Sequence, residues 1–193
     1  MSLPLGLIIR PITVGDTAAF GDAVGAVAAE RRWIAMTEPP EAASVRGFIE
    51  AQLSAGNPHL VATFGDTLVG WCDITADTRP PLAHTGRLGM GVRAEWRGRG
   101  IGRALLGAAL AAADRRGLAR VELDVNAGNA AAVGLYESAG FVREGIRRGA
   151  WRLNGAEQDV LLLARLTVTA GRPQAIAPKI RPAASEPTSA KPR

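Results

Sequence analysis

The sequence of 193 residues contains a single cysteine, Cys72, and only two histidines, His59 and His84. One cysteine cannot form a disulfide within the chain, and neither histidine has neighbours spaced as metal ligands. The first nine residues lack both the basic start and the small-residue cleavage site of a secretory signal. These absences predict a cytoplasmic protein that binds no metal.

Long apolar runs are also missing. The longest, residues 104–113, is flanked by the charged residues Arg103 and Asp114. It falls well short of the roughly 18 residues that a membrane-spanning helix needs. We therefore expect no membrane partner, and the length with no repeat period predicts one domain of ordinary size.

The net charge of +5 is unevenly distributed. Residues 171–193 hold five of the 23 basic residues but only one of the 18 acidic ones, so residues 1–170 are nearly neutral. A basic segment rich in Pro, Ala and Ser cannot bury enough apolar surface to fold, which predicts a flexible tail over residues 171–193. We expect no nucleic-acid partner. A nucleic-acid binder that uses the tail is the alternative, and it requires function to be lost on truncation after residue 170.

Periodicity and turn signals predict an α/β domain with a largely antiparallel sheet. Thr13 and Asp16 match a capping box before the first helix. Gly65-Asp66 and Asn154-Gly155 are hairpin signals. The predicted strands cover residues 8–12, 60–64, 68–74, 84–93, 121–125, 141–153 and 160–166. The predicted helices cover residues 17–30, 45–53, 103–116 and 129–139, with a surface loop at 31–40.

A glycine-rich turn, Arg-Gly-Arg-Gly-Ile-Gly at residues 97–102, lies between a predicted strand and a predicted helix. Glycines at this position expose backbone N–H groups, and the helix dipole adds positive potential, which favours a pyrophosphate. A Walker loop needs Gly-Lys-Ser/Thr and a dinucleotide fingerprint needs a third glycine where Arg103 stands, so neither pattern matches. The structural alternative is a solvated connection without a ligand.

This turn matches the Arg/Gln-x-x-Gly-x-Gly/Ala signature of the GNAT N-acetyltransferases, and a second segment resembles the same family. That segment is Asn126-x-x-Asn129-x-x-Ala132-x-x-x-Tyr136-x-x-x-Gly140-Phe141. The resemblance covers residues 7 to about 167, within a domain taken as residues 1–170. It implies the GNAT fold, a mixed, mostly antiparallel sheet of six or seven strands flanked by about four helices.

The resemblance implies acetyl-CoA as co-substrate, with its pyrophosphate on the glycine turn and its pantetheine arm hydrogen-bonded to the preceding strand. The implied cofactor-binding residues are Met90, Val92, Arg97, Gly98, Arg99, Gly100, Ile101, Gly102, Arg103 and Asn129. Gly89 and Gly91 fit a bulge or a splayed edge in that strand, or a strand that glycine simply weakens. Asn129 also suits a helix N-cap.

The implied reaction is direct attack of a primary amine on the thioester, with Tyr136 protonating the departing thiolate. A phenol of ordinary pKa near 10 is protonated at neutral pH and can donate. Tyr136 is the only tyrosine, and the alternatives are a hydroxyl that positions the sulfur or a core aromatic. Cys72 is expected only to pack.

The general base is not identified by the resemblance, because residues 86–90 lack the glutamate that many relatives place in this strand. Asp73, His84 and a water chain remain as candidates. Trp33, Trp71 and Trp151 are candidates to wall the acceptor pocket, or else they fill the core.

Residues 152–159 and a histidine at the start of the fourth strand resemble the amino-acid N-acetyltransferase branch. A small-molecule amine, such as an amino acid, is therefore the expected acceptor. Protein N-termini, polyamines and aminoglycosides remain open, as do a homodimer and a non-catalytic sensor that binds acyl-CoA without transfer.

Overall fold

The computed structural model describes residues 3–167, which form one seven-stranded sheet with four α-helices. The predicted tail, residues 171–193, and the end of the predicted domain lie outside the described residues. The strands are β1 (Leu7–Pro11), β2 (His59–Phe64), β3 (Thr67–Ala76), β4 (Thr85–Val92), β5 (Arg120–Asn126), β6 (Val142–Leu153) and β7 (Ala156–Leu166). The helices are α1 (Thr17–Ala29), α2 (Ala42–Ser54), α3 (Ile101–Arg116) and α4 (Ala130–Ser138).

The strand order is β1-β2-β3-β4-β5-β7-β6. Every neighbouring pair is antiparallel except β4 and β5, which run parallel. A parallel pair needs a crossover on one face of the sheet, and α3 supplies it. The predicted fold class, a mixed and mostly antiparallel sheet with about four helices, is confirmed.

Two apolar clusters lie on opposite faces of this sheet. On one face α3 and α4 bury Leu105 and Leu106 against Val121 and Leu123 of β5. On the other face α1 and α2 bury a second cluster that includes Trp71 of β3. Side chains alternate between faces along a strand, so neighbours on β3 serve different clusters: Cys72 packs toward α3 and Trp71 toward α1.

The parallel pairing of β4 with β5 is short. It joins Thr85–Arg87 to Arg120–Glu122 and then stops, although β4 continues to Val92 and β5 continues to Asn126. Both strands keep their outer partners along these stretches. The two strands therefore diverge and leave an opening in the middle of the sheet, beside the start of α3.

The largest differences from the predicted boundaries are at the starts of β7 and α2, which lie four and three residues earlier than predicted. Strand β7 begins at Ala156 rather than residue 160, because pairing with β6 carries it through a polar stretch that lacks an apolar alternation. Helix α3 begins at Ile101, two residues earlier than predicted. The predicted type I′ turn is confirmed, since Asn154 and Gly155 both have positive φ, of 52° and 79°.

Gly89 and Gly91 do not form a bulge, because β3 and β4 stay in regular register throughout. A Cβ at Gly91 would lie 2.3 Å from the indole of Trp71, and one at Gly89 would lie 3.2 Å from Asp73 Oδ1. The two glycines leave room for side chains that reach across from β3. The bulge interpretation was wrong because glycine in a strand marks close approach as often as it marks irregularity.

We expect Gly91→Ala to lower the free energy of unfolding by about 1–3 kcal/mol, the usual cost of overpacking a fitted site. Gly107→Ala is the matched control, because a Cβ there meets nothing within 4 Å. Because Gly107 lies on the exposed face of α3, its replacement by alanine should raise the free energy of unfolding by up to about 1 kcal/mol. Urea denaturation measures both, and an unchanged Gly91→Ala midpoint would contradict the packing of Trp71 on this glycine.

Candidate active site

The glycine turn gives α3 an open N-terminus. Gly98 and Gly100 adopt φ of 72° and 80°, a region that favours glycine, and no side chain of the described residues caps the helix. The first intrahelical bond runs from the Ala104 N–H to the Gly100 carbonyl at 3.1 Å. The preceding amides of the first turn are thus free to bind an acceptor, as at any uncapped helix start.

The divergence of β4 from β5 leaves further donors unpaired. The Arg93 N–H donates to the Val69 carbonyl on β3 at 2.9 Å. Because N–H groups alternate in direction along a strand, those of Val92 and Met90 point away from β3 and into the opening. Main-chain donors of β4 and of α3 therefore line one continuous path.

The arginines of the turn are not equivalent. Arg97 donates to both carboxylate oxygens of Glu30, at 2.8 and 2.5 Å, and to the Val92 carbonyl at 2.9 Å, so it ties the turn to the end of α1 and to β4. Arg99 lies over the Trp96 ring and donates to the Glu95 carbonyl. Arg103 is exposed on the first turn of α3. The Ile101 side chain is buried, so only its backbone is available to a ligand.

Tyr136 lies on the face of the sheet that α3 and α4 cover. Its side chain is 7% exposed and packs against Phe141, with ring centroids 5.7 Å apart. Burial raises the pKa of Tyr136 well above its ordinary value, so the phenol is protonated throughout the neutral range. Asn129 caps α4, accepting the Ala132 N–H on its side-chain oxygen at 3.1 Å. The N-cap interpretation is confirmed. Cys72 is fully buried and its pKa is raised, as expected for a packing residue.

Asp73 lies on the opposite face, against Gly89 of β4. Its side chain is 8% exposed, and burial raises its pKa from the ordinary carboxyl range to about 7. His59 is the cross-strand neighbour, but burial lowers the His59 pKa to about 4, so the imidazole is neutral and supplies no compensating cation. Asp73 thus combines a carboxylate, a low-dielectric setting and a pKa near neutrality.

A buried polar network from α2 holds this carboxylate. The Gln52 side-chain amide donates to Thr75 Oγ1 at 2.8 Å and lies 3.4 Å from Asp73 Oδ2. Its oxygen accepts from the Asn57 side chain at 2.5 Å, and Asn57 accepts the Ala76 N–H. Sequence reasoning missed Gln52 because a single glutamine on an amphipathic helix gives no signal of its buried partners.

Asp73 borders a cavity of about 520 Å³ that opens to solvent between β3, β4 and β5. The residues that line the cavity are Asp73, Thr75, Ala76, Asp77, Arg79, Thr85, Arg87, Leu88, Gly89 and Glu122. Further along β5, Asp124 forms ion pairs with Arg87 of β4 and Arg147 of β6. Sequence analysis missed this cluster, although alternate charged residues along residues 120–126 were its available signal.

The structure does not bring His84 to this cavity. His84 is exposed just before β4, where its carbonyl accepts the Ala119 and Arg120 N–H groups. At about 3.3 Å per strand residue it lies some 20 Å from Met90. His84 is therefore far from the opening at Met90, and its side chain does not line the cavity although the next residue, Thr85, does.

The three tryptophans occupy different settings. Trp71 is 5% exposed and belongs to the core, beneath Gly91. Trp33 is half-buried in the loop after α1, with the Arg32 guanidinium over its ring. Trp151 is half-buried on β6, opposite Gln158. Only Trp33 and Trp151 have surface to offer an acceptor.

We expect the unfolding free energy of Asp73→Asn, relative to wild type, to increase as pH rises from 4 to 7. With a native pKa of about 7, Asp73 binds a proton in the native state that the unfolded chain has already released above its ordinary pKa near 4. The contribution of Asp73 to stability therefore falls over this window in the wild type, and the asparagine variant lacks this contribution. Urea denaturation at several pH values measures the difference, and a constant offset would contradict a raised native pKa.

Comparisons with known proteins agree with this geometry. The model of the acetyltransferase (GNAT) family matches residues 27–141. N-alpha-acetyltransferase RimI of Mycobacterium tuberculosis is 41% identical over 104 residues, which cover 54% of this chain and 64% of that protein. L-amino acid N-acetyltransferase AaaT of Escherichia coli is 31% identical over 112 residues, covering 58% of this chain and 69% of that protein.

The chain thus spans a little less than two thirds of RimI. Among solved structures, yncA of Salmonella typhimurium, determined with its cofactor acetyl-CoA, superposes with a TM-score of 0.81. That match covers 89% of this chain and 99% of the other at 20% identity, and it confirms the fold. Within residues 3–167, no helix is both long and apolar enough to span a membrane. The matched family model extends over more than half of the sequence, and the chain therefore belongs to the GNAT acetyltransferase family.

Proposed function

We propose that this protein transfers an acetyl group from acetyl-CoA to a primary amine, most directly the α-amine of an amino acid. The observation that carries the proposal is the opening between β4 and β5. Unpaired main-chain donors lie along one side of it, and a buried carboxylate with a pKa of about 7 lies across β4. Membership of the GNAT family supports the same reaction class.

The donors fit an acylated nucleotide thiol carrier. The uncapped first turn of α3, residues 101–103, suits a pyrophosphate because both the free N–H groups and the helix dipole favour an anion. The N–H groups of Met90 and Val92 suit the amides of a pantetheine arm, which adds to β4 as a further strand would. Gly98 and Gly100 let the turn reach this conformation, Arg97 fixes it, and Arg99 and Arg103 add positive charge. Acetyl-CoA supplies the activated thioester.

Asp73 is the proposed general base. An amine attacks only in its neutral form, and a carboxylate that titrates near pH 7 is matched to accepting its proton. The position across from Gly89 places Asp73 beside Met90 on the acceptor side of the opening. Asp124 is less suited, because its carboxylate is already paired with two arginines, Arg87 and Arg147.

Tyr136 is the proposed general acid. It lies on the face covered by α3 and α4, whereas Asp73 lies on the face covered by α1 and α2. The opening in the sheet connects the two faces. The acceptor thus enters on one side and loses its proton to Asp73, while the thiolate receives a proton from Tyr136 on the other. Because a proton acceptor and a proton donor are both at hand, the amine can attack the thioester directly, and no covalent enzyme intermediate is needed.

The acceptor class follows from amine basicity and from the relatives. At pH 7, neutralising a lysine side chain of pKa 10.4 costs about 4.6 kcal/mol, whereas a peptide α-amine near pKa 8 costs about 1.4 kcal/mol. Free amino acids lie between these values. The named relatives include an N-alpha-acetyltransferase and an L-amino acid N-acetyltransferase, both of which act on α-amines by their names.

A homodimer remains a prediction.

For the proton transfers, we expect kcat/KM of the wild type to rise with pH through about 7, the pKa of Asp73. In Asp73→Asn, the rise of kcat/KM with pH through about 7 should be absent. Its kcat should be lower by about 10²–10⁴-fold, the usual contribution of a general base. Tyr136→Phe should lower kcat while acetyl-CoA binding is kept. Thiol release with a panel of amines measures all three. An Asp73→Asn profile that retains the wild-type limb would exclude Asp73 as the base.

For the cofactor site, we expect Gly102→Asp to weaken acetyl-CoA binding at least about tenfold, since it places a carboxylate among the first-turn amides. A Cβ at Gly102 comes no nearer than 3.4 Å to another residue, Leu135, so the backbone can keep its place, and circular dichroism checks that the variant is folded. Gly107→Asp adds the same charge in open space on the same helix and is the control. Calorimetry measures both. Equal affinities would contradict the pyrophosphate site, and tight binding by the wild type without turnover on any amine would favour the sensor alternative.

A further inference from the structure

We propose that the acceptor is a free α-amino acid and that Arg87 binds its carboxylate, while Asp73 faces its amine. The proposal rests on the acetyl transfer proposed above and goes further, because it selects one acceptor class and names the residue that selects it. Its basis is an exposed guanidinium with one ion pair that lines the same cavity as the buried carboxylate.

Arg87 and Asp73 share the acceptor face. Arg87 precedes Gly89 by two residues on β4, so both lie on one face, and Gly89 is the position over which the Asp73 carboxylate lies. The carboxylate of Asp73 and the guanidinium of Arg87 line the same cavity. An α-amino acid joins its amine to its carboxylate through one carbon, so it is small enough to enter this cavity with its amine toward Asp73 and its carboxylate toward Arg87.

The Arg87 guanidinium has donors to spare. Arg87 contacts Asp124 through one guanidinium nitrogen, at 2.8 Å, and Arg147 pairs with the same carboxylate. The Arg87 side chain is 61% exposed and donates no other hydrogen bond to the residues that the structure describes. A guanidinium presents five donors, so a second carboxylate can bind without displacing Asp124.

The other arginine that lines the cavity is already neutralised. Arg79 donates to both carboxylate oxygens of Asp77, at 2.9 and 2.5 Å. Nearby Arg120 is held by Glu122 and Glu144. A carboxylate entering the cavity thus finds its counter-charge at Arg87, and Asp124 keeps that guanidinium directed across β4 and β5.

This arrangement separates two kinds of α-amine. A free amino acid carries the carboxylate that Arg87 would bind. A peptide N-terminus carries a neutral amide at the same place, and its single oxygen cannot accept the charged, paired hydrogen bonds that a carboxylate accepts from a guanidinium. The chemistry of the site therefore favours the free amino acid over the N-terminus of a protein.

The experiment compares L-amino acids with their matching amides, in the wild type and in Arg87→Gln. The best wild-type amino acid should exceed its amide in kcat/KM. Arg87→Gln should lower kcat/KM for the amino acid by about tenfold to a hundredfold, through KM, because a charged hydrogen bond contributes about 1.5–3 kcal/mol. Arg87→Gln should leave kcat/KM for the amide unchanged. Arg87→Lys should restore part of the loss, and Arg79→Gln, from the same cavity wall, should leave the preference unchanged.

Three outcomes would overturn the inference. Equal losses on amino acid and amide would make Arg87 a structural residue only. A wild type that prefers amides or peptide N-termini would exclude the acceptor class while leaving acetyl transfer established. If no amine is acetylated, the proposed function itself fails. In that case, calorimetry measures how tightly the amino acid binds to the enzyme saturated with CoA. Equal affinities of the wild type and Arg87→Gln would contradict the contact between Arg87 and the carboxylate.

Discussion

The early end of the parallel pairing between β4 and β5 is the constraint on which the rest of this structure depends. Only three residues of each strand pair, and beyond them each strand is held by its outer antiparallel neighbour alone. The backbone groups released by the divergence cannot remain unpaired in a dry core without cost. They line an opening instead, where the carrier's amides can satisfy them. The break in the sheet is therefore the site that we propose for the carrier.

In the proposed mechanism, the same opening allows the acid, Tyr136, and the base, Asp73, to lie in separate, differently built environments. Tyr136 is enclosed by apolar side chains of α4 and the sheet, which keep its proton in place. Asp73 is enclosed by α2 and held by the amide of Gln52, with a neutral His59 as its neighbour on β2. Burial raises both pKa values and has opposite uses: it maintains a donor on one face and a poised acceptor on the other.

Local signals in the sequence predicted the fold class, the glycine turn, the Asn154-Gly155 hairpin and the N-cap at Asn129, because each depends on a few neighbouring residues. Long-range packing explains what they missed. The roles of Gly89 and Gly91 depend on side chains from β3, the start of β7 depends on pairing with β6, and the partners of Gln52 and Asp124 come from distant segments. His84 was a plausible base by residue type alone, and its position far from the opening argues against it.

Hydrogen exchange of individual amides, measured with and without acetyl-CoA, tests most directly whether the opening is the carrier's site. The account predicts slower exchange at Met90, at Val92 and in residues 101–103, with little change in α2, on the other face of the sheet. Protection confined to other segments, with the β4 and α3 amides exchanging at their free rates in the presence of saturating acetyl-CoA, would contradict it.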